Sequence, residues 1–171
     1  MASRSDSSLE KLSLAHTTMD DYGATLLMIW LVRRCKSLTT LNFGCDHSIS
    51  ATGWVGIFHV LADSDLKLVE LILSSINIDD DGVALMIDLI VKMSTLIRLD
   101  LDYTSTVTIY GMMAVIDCLR STSPLKLKEL KIAISSTLRI VIDDVFPGLV
   151  AALAHNTYRF GKVALHAIGL R

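Results

Sequence analysis

Two stretches carry residue types that could do chemistry. In Ser75–Asp88, "SINIDDDGVALMID", Asn77, Asp79, Asp81, Gly82 and Asp88 occupy the first, third, fifth, sixth and twelfth places of a calcium-loop template. Such a loop needs alternating oxygen ligands, a glycine for the sharp turn and a closing carboxylate. In "CDH", Cys45 and His47 set a thiol and an imidazole two residues apart on one side of an extended segment, and His16 stands in nearly the same place one repeat earlier. That combination could form a Cys-His nucleophile or part of a metal site. There is no Gly-x-Ser-x-Gly, no phosphate-binding glycine loop and no His-Glu-x-x-His.

Both candidates depend on the elements that would hold them. An EF-hand loop is entered from a helix, whereas Leu68–Leu73, "LVELIL", alternates and reads as strand. The same pattern, apolar-x-x-apolar-x-apolar, begins at Leu9, Leu38, Leu68, Leu96 and Leu127, at intervals of 28 to 31 residues. The first four copies are followed by a glycine at constant phase: Gly23, Gly53, Gly82 and Gly111. After each glycine runs an apolar stretch with helical spacing, such as "ATLLMIWLVRRC" and "VALMIDLIVKM". Every repeat is therefore a strand, a loop and a helix. A fifth helix-like stretch, "IDDVFPGLVAAL" from Ile142, follows a longer connection, and a sixth strand, "VALHAI" from Val163, closes the pattern.

In this frame the acids have another task. Asp20-Asp21, Ser50, Asp79 to Asp81, Thr108 and Asp143-Asp144 each fall just before a helix, where a short oxygen-bearing side chain caps free N–H groups and meets the positive helix end. The calcium template follows from capping. The recurrent glycines imply a contact or dihedral that a Cβ would obstruct. Cys45 and His47 lack a third orienting group, so they read as a buried thiol beside loop histidines. Trp30, Trp54 and Phe58 sit at helical spacing and read as core.

With these motifs the chain resembles the leucine-rich repeat family, in its ribonuclease-inhibitor-like long-repeat subclass, over roughly residues 9 to 166. The family pattern places Asn or Cys shortly after each strand to bond neighbouring loops; here those places read near Thr17, Asp46, Ile76 and Thr104. Residues 1–8 form a short polar leader and 9–171 a single repeat domain. The expected fold is α/β: a right-handed solenoid of about five strand-loop-helix repeats and a final strand. Strands about 4.8 Å apart and helices about 8–10 Å apart bend it into a short horseshoe arc, parallel sheet on the concave face.

Alternate strand residues then point out of the concave face. The third places hold Lys11, Thr40, Glu70, Arg98, Glu129 and Lys162; the fifth hold Ser13, Asn42, Ile72, Asp100, Lys131 and Ala164. Glu70, Arg98 and Glu129 should form a lateral charge ladder, with Asp100 facing Lys131. Glu70, Arg98, Asp100, Asp102, Tyr103 and Lys131 are the expected partner-binding residues. Tyr103 joins them because tyrosine frequently anchors interfaces. The implied function is non-catalytic binding of another protein, with neither cofactor nor metal. Proteins similar to this family also activate small GTPases or serve as parts of larger sensor and adaptor proteins, which gives the alternative readings.

Composition narrows the partners. The chain has 171 residues, 51% apolar and 20% charged, and a net charge of -2 from 16 basic and 18 acidic residues. Without a basic excess, nucleic acid and anionic membrane are not expected partners. Mean hydropathy is +0.51, yet Ala24–Val32, "ATLLMIWLV", is about half a membrane span and reads as buried helix. The N-terminus, "MASRSDSS", lacks the apolar core of a secretory signal, and three distant cysteines argue against disulfides, so an intracellular, cytoplasmic setting is expected. Neither terminal repeat carries a polar cap over Leu9, Leu12, Leu14 and Leu27 or over Val163, Leu165 and Ile168. End-to-end self-association, or membership of a longer array, is expected.

Overall fold

The computed structural model describes residues 8–101, 106–120, 127–134 and 162–167. Strands and helices alternate: β1 (Lys11–Ser13), α1 (Asp21–Arg34), β2 (Thr40–Asn42), α2 (Ala51–Ala62), β3 (Glu70–Ile72), α3 (Asp80–Lys92), β4 (Arg98–Leu101) and α4 (Ile109–Arg120). Then come β5 (Glu129–Ile134) and β6 (Lys162–Ala167). All strands run parallel in one sheet in the order β1-β2-β3-β4-β5-β6. Each described helix packs on the next. This is a repeat-like α/β arrangement, compatible with a solenoid. The expected helix at Ile142 and the acids Asp143-Asp144 lie outside the described residues.

The register pairs like places of successive repeats. Leu41 is opposite Leu71, Leu71 opposite Leu99, and Leu99 opposite Leu130. All four leucines are buried between sheet and helices, while the residues on either side of them alternate to the other face, as the pleat requires. From the helix layer come Met28, Ile57, Phe58, Met86 and Leu89, also buried.

The helices start three residues before the apolar stretches that announce them, because the caps set the start. Asp20, Ser50 and Asp79 are the N-caps of α1, α2 and α3, in extended backbone, and each accepts from the amide of the repeat's glycine. Each glycine is thus the third helical residue. Beyond capping its own helix, every second repeat reaches the next. The carboxylate of Asp21 accepts from the Ser50 amide at 2.7 Å and from its hydroxyl. One pair of repeats later, Asp80 accepts from the Thr108 amide at 2.8 Å and from its hydroxyl. Between them, Ala51 stands where an acid would face the Asp79 carboxylate.

This ladder explains two of the glycines. A Cβ on Gly53 would lie 2.3 Å from Asp21 Oδ1 and 2.8 Å from Ile49 Cγ2; on Gly111 it would lie 2.5 Å from Asp80 Oδ1. At Gly56, mid-helix, the nearest atom is Thr25 Oγ1 at 3.5 Å. Gly53→Ala should therefore destabilise by about 1–3 kcal/mol through overpacking. Gly56→Ala should stabilise by about 0.5–1 kcal/mol through helix propensity. Urea unfolding of the two variants checks the opposite signs; losses from both would remove the cross-repeat contact as the cause.

After each of the first three strands the chain turns through the left-handed region, at His16 (φ 59°), Cys45 (φ 60°) and Ser75 (φ 57°). Non-glycine residues pay about 1–2 kcal/mol there. Stacked backbone bonds hold the turns: His16 N–H donates to Gly44 O at 3.1 Å and Cys45 N–H to Ser74 O at 2.8 Å. Buried Asp46 accepts from the Thr17 hydroxyl and, at 3.1 Å, from Ser48 N–H. Thr17 and Asp46 therefore bond each other across repeats at two of the places where the family pattern puts Asn or Cys. Ile76 only packs in the core, and Thr104 lies outside the described residues.

Two expectations are corrected. Ala24–Val32 is not buried throughout: Ala24, Met28 and Leu31 are buried, whereas Leu26 and Trp30 are exposed. Trp30 is thus not core, unlike Trp54 and Phe58. Among the described residues the helix packed extensively on α1 is α2. No helix among the described residues is long and apolar enough to cross a membrane.

Candidate functional site

The outward residues of the sheet fall into the two rows derived from the sequence, because consecutive strands pair place by place. One row runs Lys11, Thr40, Glu70, Arg98, Glu129, and the other Ser13, Asn42, Ile72, Asp100, Lys131; Lys162 and Ala164 continue the backbone register in β6. Glu70, Arg98, Asp100 and Lys131 are brought together at the middle of the sheet. There, with Ile72, Glu129 and the backbone beside Leu71 and Leu99, they line a shallow depression of about 70 Å³.

Its charges are laterally matched. Arg98 Nε lies 2.9 Å from Glu129 Oε2, Arg98 Nη1 lies 3.9 Å from Glu70 Oε1, and Lys131 Nζ lies 3.1 Å from Asp100 Oδ2. The Thr40 hydroxyl donates to the far oxygen of Glu70 at 3.4 Å. Arg98 and Lys131 are about half exposed, so each pair contributes about 0–1 kcal/mol to stability. What the pairing does is hold long side chains in place, leaving less rotamer freedom to lose when a partner arrives. Arg98, drawn toward carboxylates on both sides, lies in the sheet row and does not project like an inserted arginine.

Ile72 was not singled out from the sequence. It is half-buried between Asn42 and Asp100, an aliphatic side chain on an otherwise polar surface. The signal was present: a β-branched residue at an outward place where the other strands carry Ser, Asn, Asp, Lys and Ala. Asp102 and Tyr103 lie outside the described residues.

The calcium template does not assemble. Asp79 caps α3, Asp80 reaches Thr108, and Asp81 is exposed in the first helical turn. The template's closing residue Asp88 lies well inside the same helix, and the segment before the loop is strand β3. Among the described residues no three His, Cys, Asp or Glu side chains are grouped to hold a metal ion. Nor do Cys45 and His47 share one side of an extended segment, since Cys45 is in a left-handed turn; His16 and His47 are exposed. The Cys118 thiol is pushed up from its ordinary pKa by burial and, secondarily, by the Asp88 carboxylate. Both effects disfavour the nucleophilic thiolate.

No protein-family model matches the chain, and no curated protein matches it. Solved structures that match include the leiomodin-1 actin-binding site 2, at 18% identity and a TM-score of 0.38, over 88% of this chain and 69% of that one.

Proposed function

We propose that the chain is a short right-handed repeat solenoid of the leucine-rich kind. It acts as a non-catalytic module that binds another protein through the concave face of its sheet. Strands at about 4.8 Å and helices at about 8–10 Å curve such a stack with the strands inside. The observation that carries this reading is the depression that Ile72 lines together with Glu70, Arg98, Asp100, Glu129 and Lys131, charged side chains already held in ion pairs. An aliphatic side chain beside pre-ordered polar ones supplies the two ingredients of an interface patch. Ile72 would be the anchor, and Arg98 and Asp100 would set the register of the partner's charges.

The test is a capture experiment with the full chain as bait. Ile72→Lys and the double variant Arg98→Glu/Lys131→Glu should each weaken recovery of the partner by at least about tenfold. Tyr110→Ala, on the exposed start of α4, should leave it unchanged. A partner that survives both sheet variants but is lost with Tyr110→Ala would move the binding surface to the helices and overturn the reading. Unchanged thermal unfolding of all variants keeps the comparison free of folding effects.

A further inference from the structure

The two edges of the repeat stack carry opposite charge. Where strands lead into helices, residues 14–24, 43–53, 73–83 and 106–112 hold six aspartates and neither lysine nor arginine. Where helices lead back into strands, Arg33, Arg34, Lys36, Lys67, Lys92 and Lys128 are all exposed, against the acids Glu10, Asp63 and Asp65. The net charge of -2 conceals a basic edge. Part of this segregation is helix chemistry, since acids suit helix starts and bases helix ends. Lys67 is not explained that way, for it stands five residues beyond the last residue of α2.

The connection that carries Lys67 breaks the periodicity of the stack. Residues 63–69, between α2 and β3, number seven, whereas the equivalent connections, 35–39 and 93–97, have five. In repeat arrays such extra residues fall in loops and often mark the binding side. The longer loop is pinned: the Ser64 N–H and hydroxyl both donate to Leu61 O, at 3.1 and 2.7 Å, and Leu66 is buried. Between it and the loop after α3 lies a cavity of about 210 Å³, lined among others by Ser64, Asp65, Lys67, Lys92, Ser94 and Thr95. Among the described residues neither Lys67 nor Lys92 has an ion-pair partner, and the Ser94 hydroxyl makes no hydrogen bond. Asp65 is turned to solvent, 94% exposed and 3.7 Å from Lys36 Nζ.

We propose that this cavity binds a phosphate monoester, either free on a small molecule or carried on a partner's side chain. Two ammonium groups and a hydroxyl offer more donors than the two oxygens of a carboxylate need, whereas a phosphate dianion accepts on three. The flanking Arg33, Arg34, Lys36 and Lys128 raise the local concentration of anions. Against the ligand stand the carbonyl ends of α2 and α3 and the Asp65 carboxylate, which the two lysines must outweigh. No residue of this cavity belongs to the concave depression, so the proposal stands whether or not a partner binds there.

Titration of the isotope-labelled full chain with glycerol phosphate and with N-acetyl-phosphoserine amide distinguishes the two sources. At least one should give saturable amide shifts centred on residues 61–67 and 92–95, half-complete by about 1 mM. Lys67→Gln and Lys92→Gln, both at exposed positions, should each weaken that binding about tenfold. Asp65→Asn should tighten it about twofold, a change that screening by a generally basic surface does not single out. Lys11→Gln, an equal loss of charge on the sheet, should leave it unchanged. Shifts that sodium chloride reproduces at equal ionic strength, that do not saturate by about 10 mM, or that survive both lysine substitutions overturn the proposal, and the lysines then only neutralise helix ends. So does succinate binding as tightly as the phosphates.

Discussion

Trp54→Ala is expected to destabilise the protein by about 3–5 kcal/mol, the largest effect of any single truncation considered for this chain. Trp54 is fully buried at the start of α2, edge-on to Phe43 with ring centroids 5.2 Å apart and tilted against Phe58 at 5.8 Å. The neighbouring repeats put Ala24 and Val83 at the same place after the glycine. Repeat two is therefore built around a ring that its neighbours do not have, and no adjacent side chain is placed to refill the space. The indole N–H has no hydrogen-bond partner among the described residues, so its burial already costs stability. Trp54→Phe keeps a ring and removes the orphaned donor, and should lose less than about 1.5 kcal/mol. Urea unfolding of both variants separates these terms; equal losses would mean that the indole N–H has a partner, such as a bound water.

Leu99→Ala should cost about 2–5 kcal/mol, while Arg98→Ala, its immediate neighbour, should stay within about 1 kcal/mol. Leu99 is 3% exposed, lies opposite Leu71 and Leu130, and borders an apolar void of about 20 Å³ with Met86, Val115 and Leu127. Truncation would enlarge a space that the surroundings have not closed. Arg98 points the other way, into the half-exposed charge row. Comparable losses at the two positions in a denaturation series would mean a one-residue slip of β4, which would exchange its faces.

That in-and-out alternation was legible because strand side chains repeat every two residues and the motif recurs five times in phase. Glu70, Arg98, Glu129 and the Asp100–Lys131 pair all fall where the rows put them. The caps Asp20, Ser50 and Asp79 were legible for a local reason: each sits three residues before the glycine amide that it accepts. What escaped were features set between repeats. Asp21 and Asp80 read as further cap charge, since nothing within one repeat shows a carboxylate reaching a hydroxyl 28 or 29 residues on. Trp30 read as core because periodicity identifies which face is apolar but not whether a neighbour covers it. Cys45 read as extended, since Ser, Cys and His carry no marker for the left-handed turns that Gly or Asn would announce.

The cross-repeat bonds from Asp21 to Ser50 and from Asp80 to Thr108 skip the junction between them, and this bears on how such a chain can be lengthened or shortened by recombination. Excising the second unit would bring Asp21 against Asp79, carboxylate to carboxylate, and excising the third would leave the Thr108 hydroxyl and amide facing Ala51, without an acid to answer. Excising two neighbouring units would bring Asp21 against Thr108, a hydroxyl and an amide that can answer it as Ser50 does. By this chemistry the heritable module is the pair, 58 to 59 residues long as measured from Ser50 to Thr108 or from Asp21 to Asp80. Duplications and deletions that persist should then change the array by even numbers of repeats.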